Sequence, residues 1–228
     1  MAMKIAAKWL FILCLPVLLL TATISWVANS LWLYQYGARE YGVRQDLADA
    51  GLELSDAELE VVYASLINYF NSGEEYISLT VTGVDKTVDL FTREEVIHFQ
   101  DVKRLIWLVY WVLLGTLIYA LAYAGFSIFW WHDRRRLAWG LVGGSCLTLA
   151  LMLALVLLNT LFGFDELFYQ FHLLFFSNEF WSAQGYMLRL FPEGYFYDVT
   201  AFGALAIAVG AVILGGVGWW LKRGGSAP

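Results

Sequence analysis

Cysteine is almost absent from this chain. Of 228 residues only Cys14 and Cys146 carry a thiol, and both lie inside apolar runs. Neither a disulfide framework nor a CxxC metal site can be built from them, and they say nothing about redox compartment. Charge is scarce as well, at 15% of residues, and the net balance of -6 disfavours nucleic acid as a partner. No HExxH metal motif, no G-x-S-x-G nucleophile elbow and no supported S-x-x-K occurs. Internal repeats and low-complexity tracts are missing too. The glycine-rich stretches LVGGSC and GGVGWW fall within apolar segments, where small residues let helices pack closely, and are not phosphate loops.

Apolar surface is what the chain has in excess. Hydrophobic residues make up 60% and aromatic residues 18%, with a mean hydropathy of +0.62. That exceeds the share of a soluble domain and indicates a membrane protein with a modest polar portion. Four segments, 9–33, 105–131, 137–162 and 199–221, reach the roughly 20 residues that a helix needs to cross about 30 Å of hydrocarbon. The first is longer than the roughly 7–15-residue apolar stretch of a signal peptide, and SWVANS is a poor cleavage site. Cys14 also lacks the small residue that a lipoprotein signal places before it. The segment therefore reads as a retained anchor, kinked at Pro16.

Lys4, Lys8, Arg134, Arg135, Arg136, Lys222 and Arg223 occupy the ends and the tight turn, and the positive-inside rule makes those pieces cytoplasmic. Of the 20 acidic residues only Asp133 falls on that side. The expected architecture is an all-α core of four transmembrane helices with a small α+β extracytoplasmic cap and an aromatic interfacial loop. In chain order this gives an N-terminal end and first span (1–34), the cap (35–104), the second and third spans with their cytoplasmic turn (105–162), the interfacial loop (163–198), and the fourth span with a cytoplasmic tail (199–228).

Within the cap, Ser55 and Glu58 form a capping box ahead of Leu59, Val62, Tyr63, Leu66, Ile67 and Phe70 at helical spacing. Ile77, Leu79 and Val81, then Val88 and Leu90, alternate around Gly83 and Asp85 as a hairpin of two short strands. Thr92 and Glu95 make a second capping box, which starts the helix that runs into the second span. The loop 163–198 contains thirteen aromatic residues, too many for a solvated linker, and reads as lying in the head-group zone.

Three histidines are present. His98 stands between the acidic start of a helix and its apolar continuation, with Glu94, Glu95 and Asp101 in reach on the same face. A carboxylate beside an imidazole orients it and favours its charged form, so His98 is expected to titrate near neutral pH and to move a proton at the membrane edge. The plainer reading makes those acids helix N-terminal charge and solvated surface. His172, among Phe168, Tyr169, Phe171, Phe175 and Phe176, is either packing or chemistry. Two outward histidines near one membrane face admit a proton-transfer pair acting on an interfacial ester, or shared metal ligation, for which no third ligand is recognisable. His132, in WWHDRRR, marks the cytoplasmic boundary. Ser177 and Ser182 are weak nucleophile candidates. Charge is absent from the span centres, with Asn159 the main polar group there, which disfavours a transporter.

FTREEVIHFQDVKRL and FHLLFFSNEFW…MLRLFPEGYFYD, whose histidines are 74 residues apart, resemble the two signature stretches of the bacterial lipoprotein intramolecular transacylases (Lit). The resemblance extends over the architecture from end to end. It implies an acyltransferase of the bacterial cell membrane, active on its extracytoplasmic side, whose partners are diacylglyceryl-modified lipoproteins and membrane lipid. Such proteins move the sn-2 acyl chain of an S-diacylglyceryl-cysteine to the α-amine of the same cysteine, giving the lyso form. The resemblance further implies His98 and His172 as the acid/base pair, with Asp101 orienting His98 and with Asn178, Trp181 and Arg189 in binding or oxyanion support. No cofactor and no metal is implied. The alternative is a non-catalytic assembly factor or sensor whose cap binds a partner.

Overall fold

Helix dominates the structure, a computed structural model in which residues 2–82 and 87–224 are described. In chain order the elements are α1 (Ala2–Ala28), α2 (Leu31–Glu40), α3 (Val43–Asp49), α4 (Asp56–Asn71), β1 (Thr80–Thr82), β2 (Thr87–Asp89), α5 (Arg93–Gly125), α6 (Arg134–Phe162), α7 (Phe164–Phe175), α8 (Met187–Leu190) and α9 (Glu193–Gly224). A π-helical turn, Phe126–Trp130, continues α5, and a 3-10 turn, Phe180–Ser182, lies between α7 and α8. The chain divides into two compact units: residues 1–25, 108–163 and 202–228 form one, and residues 26–107 and 164–201 form the other.

The first unit is built from the apolar stretches. Four helices, α1, α5, α6 and α9, are long and apolar enough to cross a membrane. The second of these, Arg93–Trp130, has 38 residues. At 1.5 Å per residue it is about 57 Å long, nearly twice the hydrocarbon thickness. Its charged residues, Arg93, Glu94, Glu95, Asp101, Lys103 and Arg104, all precede Leu105. The stretch free of charge and long enough to cross hydrocarbon is therefore 105–130, and His98 precedes it. Inside the unit, Phe11, Leu15, Tyr123, Leu137 and Leu141 form a buried cluster, with Phe11 and Tyr123 stacked at 4.5 Å. Small residues permit this approach: a Cβ on Gly144 would come within 2.8 Å of Leu15. Outward, α6 leaves Leu153 60% and Leu161 74% exposed, together with most of its other leucines, a continuous apolar face suited to hydrocarbon rather than water. Helix α1 continues through Pro16.

The second unit has a core of aromatic and aliphatic side chains, among them Leu33, Leu47, Tyr63, Leu66, Leu90 and Leu190, each at most 1–2% exposed. Tyr63 packs on Tyr34 and Phe191, and its hydroxyl donates to the Leu190 carbonyl oxygen at 3.0 Å. Both capping boxes form. Ser55 accepts from the Glu58 N–H and Glu58 accepts from the Ser55 N–H, while Thr92 and Glu95 repeat the arrangement. The strands pair antiparallel, three residues each, with Val81 opposite Val88. The turn expected at Gly83 and Asp85 lies outside the described residues.

Three departures from the sequence reading have local causes. The first helix ends at Ala28 rather than running to residue 33, because Ser30 Oγ donates to the Trp26 carbonyl oxygen and closes the helix end. The following residues form α2 and α3, separated by Gly42 in the left-handed region at φ +62°. The stretch 163–198, expected as a loop, is largely helical: Gly163 at φ +84° ends α6, and α7 begins at the next residue.

Candidate active site

The polar first turns of α5 and the helix α7 bring the two singled-out histidines together. Their rings are 6.2 Å apart, centroid to centroid, and inclined by 29°. Both side chains are buried, His98 at 8% and His172 at 6% exposure. Helix α7 inverts the usual pattern, because His172 is the one residue it buries while Leu174 is 76% exposed. A helix that hides its histidine and presents Leu173, Leu174 and Phe175 outward fits an apolar surrounding. Phe176, buried just beyond α7, touches both rings at 5.0 and 5.4 Å.

His172 is held in a defined tautomer. Its Nδ1 lies 2.7 Å from the Phe168 carbonyl oxygen, one turn earlier. A carbonyl only accepts, so Nδ1 carries the proton and the neutral ring keeps its lone pair at Nε2. Phe168 packs edge-on and Trp181 lies 4.7 Å away on another side. His98 differs: its Nδ1 is buried and meets no hydrogen-bond partner among the described residues.

The three acidic neighbours of His98 have different surroundings. Glu94 is exposed. Glu95 turns into the protein, where its Oε2 accepts from the Thr92 N–H and its Oε1 from the Met187 N–H at 2.7 Å. Asp101 accepts from Asn178 Nδ2 at 2.9 Å and from Arg104 at 3.3 Å. Asn178 Oδ1 in turn accepts from the Phe180 N–H at 3.0 Å, which opens the 3-10 turn carrying Trp181. Asp101, Asn178 and Trp181 thus form one connected path from α5 to the ring of His172. Arg189 is not part of it. Its guanidinium donates to the carbonyl and carboxylate oxygens of Asp46 on α3. Ser182 Oγ donates to the Glu179 carbonyl oxygen and Ser177 is exposed, so neither shows contact with His172. His132 is exposed at φ +51° in the turn between α5 and α6.

Burial sets the protonation of both rings. Desolvation pushes His98 down to about 4, the nearby His172 adds to the effect, and the charge of Asp101 opposes it without prevailing. His172 is also lowered by burial, against the opposing pull of its bond to Phe168. The expectation that His98 titrates near neutral pH is therefore corrected: desolvation outweighs the carboxylate, and His98 is a neutral imidazole at pH 7. Among the described residues no group of three or more His, Cys, Asp or Glu side chains is arranged to hold a metal ion.

No spacing in the sequence marks the Glu95–Met187 bond, which joins residues 92 apart. Nor does it mark Phe176 as the residue in contact with both rings.

The sequence model of the family described as lipoprotein intramolecular transacylase Lit matches residues 9–196. The fold is similar to that of the membrane-integral lipoprotein intramolecular transacylase Lit from Bacillus cereus, with a TM-score of 0.80 at 22% identity over 97% of each chain. A form of the same Bacillus cereus protein with a histidine changed to arginine matches at a TM-score of 0.77 and 21% identity, covering 97% of this chain and 93% of that one. Its histidine-to-alanine counterpart matches at 0.77 and 21%, covering 97% and 94%. No curated protein matches the sequence significantly.

Proposed function

Because this chain belongs to the lipoprotein intramolecular transacylase (Lit) family, we propose that it moves the sn-2 acyl chain of an S-diacylglyceryl-cysteine to the α-amine of that same cysteine, with His172 as base and His98 as acid. The observation that carries this reading is the pairing of two buried imidazoles at 6.2 Å in a chain that has only three histidines.

The reaction needs one proton moved. A bond forms between the amine nitrogen and the acyl carbon, the ester C–O bond breaks, and a proton passes from the nitrogen to the departing glycerol oxygen. His172 suits the first role: its Nδ1–H is tied to the Phe168 carbonyl oxygen, so Nε2 is the free lone pair. That bond also supports the imidazolium formed when the amine proton arrives. His98 suits the second role. An imidazole whose proton affinity burial has pushed down to about 4 is a strong acid once it receives the proton that His172 takes from the amine, and it passes that proton to the leaving glycerol oxygen, so that both rings end neutral. Donor and acceptor belong to one molecule, so holding them about 3–3.5 Å apart replaces covalent catalysis. No cofactor takes part in this scheme.

In the cell the protein sits in the bacterial cytoplasmic membrane with both termini inside, which the placement of Lys and Arg at the helix ends and at the α5–α6 turn supports. The unit made of residues 26–107 and 164–201 then forms the extracytoplasmic cap and the interfacial segment, and it carries both histidines. The exposed apolar face of α7 supports its lying along the lipid surface.

The test is mass spectrometry of a synthetic S-diacylglyceryl-cysteine lipopeptide incubated with the purified protein. The expected product has unchanged mass, a blocked α-amine and one O-acyl chain. A free amine after prolonged incubation with folded protein would overturn the reading.

A further inference from the structure

The sequence places Glu95 one turn ahead of His98, where an acid could be taken for a partner of the imidazole. The structure assigns it a different part: we propose that Glu95 is a positioning residue, which fastens the segment carrying Trp181 to the helix carrying His98 and so fixes the site around both histidines. The proposal rests on the reading of the histidine pair as the reacting groups.

Glu95 is fully buried, at 0% exposure, and no Lys, Arg or His lies within ion-pair distance of it among the described residues. A buried carboxylate persists only where hydrogen bonds replace its hydration. Here each oxygen accepts one backbone N–H: Oε2 that of Thr92, at 2.9 Å, and Oε1 that of Met187, at 2.7 Å. The first is the ordinary capping-box bond of α5. The second reaches 92 residues along the chain to the start of α8. Gly185 lies directly against the carboxylate, so that any Cβ there would collide with it.

The consequence follows from what the two ends carry. On α5, His98 is three residues after Glu95, on the next turn of the same rigid helix. The segment that ends at Met187 contains Asn178, bonded to Asp101, and Trp181, 4.7 Å from His172. That segment is thus pinned to α5 at two points, by Asp101 on the C-terminal side of His98 and by Glu95 on its N-terminal side. Glutamine does not replace the carboxylate, because its NH2 group would face one of the two N–H donors and leave it unpaired. An apolar residue would fill the volume and release Met187.

The experiment uses the full-length protein in detergent and the synthetic lipopeptide. Glu95→Gln and Gly185→Ala are compared with Glu58→Gln, which breaks the other capping box, far from the histidines in sequence. Glu95→Gln and Gly185→Ala are expected to lower kcat by about 10²-fold, the scale of a small misplacement of reacting groups, with KM changed little. The acid limb of their kcat–pH profile is expected to move up as the loosened site takes up water. Glu95→Asp keeps the charge with a shorter reach and is expected to retain part of kcat, which provides a folded variant if the glutamine does not insert. Glu58→Gln is expected to leave kcat and the profile unchanged at whatever loss of thermal stability it brings. Wild-type kcat and profile in both Glu95→Gln and Gly185→Ala would overturn the proposal, as would an equal change in Glu58→Gln. His98→Ala and His172→Ala separate the two readings. If they are inactive while Glu95→Gln and Gly185→Ala are both fully active, the positioning role alone fails; if they are fully active, the pair itself fails.

Discussion

Asn178 donates its side-chain N–H to the carboxylate of Asp101 at 2.9 Å, across 77 residues of sequence. The bond joins the α5 helix, three residues beyond His98, to the turn that sets Trp181 on His172. Asp101 anchors that turn to α5, and its charge reaches His98 only as a minor opposing influence beside burial.

Breaking that bond should therefore disturb geometry more than protonation. Asn178→Ala is expected to lower activity about 10-fold and Asn178→Asp further, because like charges would then face each other. Lipopeptide turnover by mass spectrometry measures both, and activity equal to wild type in Asn178→Asp would remove this bond from the account.

The histidines themselves carry the largest expected effect. His98→Ala and His172→Ala should each leave a folded protein with activity lowered about 10²–10⁴-fold, the range of a lost proton-transfer group. His132→Ala, at an exposed turn, should change turnover little. Chelators should have no effect, and restoration of activity by zinc would replace the acid–base scheme with a metal one.

The pH dependence has a definite sign. His98 in the folded protein lies at about 4, below the 6.5 of a free imidazole, so the unfolded chain binds its proton more readily between these values. Stability from this group is complete above pH 6.5 and is lost as pH falls toward 4, by on the order of 3 kcal/mol. The thermal unfolding midpoint in detergent should drop between pH 7 and 5, and drop less in His98→Gln. A midpoint that rises on acidification would contradict the burial of neutral His98.

Transfer should remain within one molecule. Two diacylglyceryl lipopeptides are mixed, one with isotopically heavy acyl chains and one with a heavy peptide. Direct attack keeps heavy chains on light peptide and light chains on heavy peptide. Doubly labelled product above a no-enzyme control would mean that the acyl group leaves its parent molecule, through an acyl-enzyme or otherwise.

Legibility differed between the parts of the chain for physical reasons. Crossing hydrocarbon demands length and apolarity in one continuous stretch, so α1, α5, α6 and α9 were readable from composition along the sequence alone. Capping boxes are equally local, and Ser55–Glu58 and Thr92–Glu95 could be read from their spacing. Their ends were less certain. Ser30 stops α1 through a side-chain bond whose choice of partner depends on the folded backbone. Helix α7 was missed because its density of aromatic residues read as a head-group loop, and because the residue it buries is a histidine. The histidines could be named from sequence, but their protonation could not. A nearby carboxylate is visible in sequence and suggests a charged imidazole, whereas desolvation arises only when Phe176, Trp181 and Phe168 close around the rings. The bonds from Asn178 to Asp101 and from Met187 to Glu95 are tertiary in the same sense. They join residues 77 and 92 positions apart, and the elements must already be packed before any spacing rule could bring those atoms within reach.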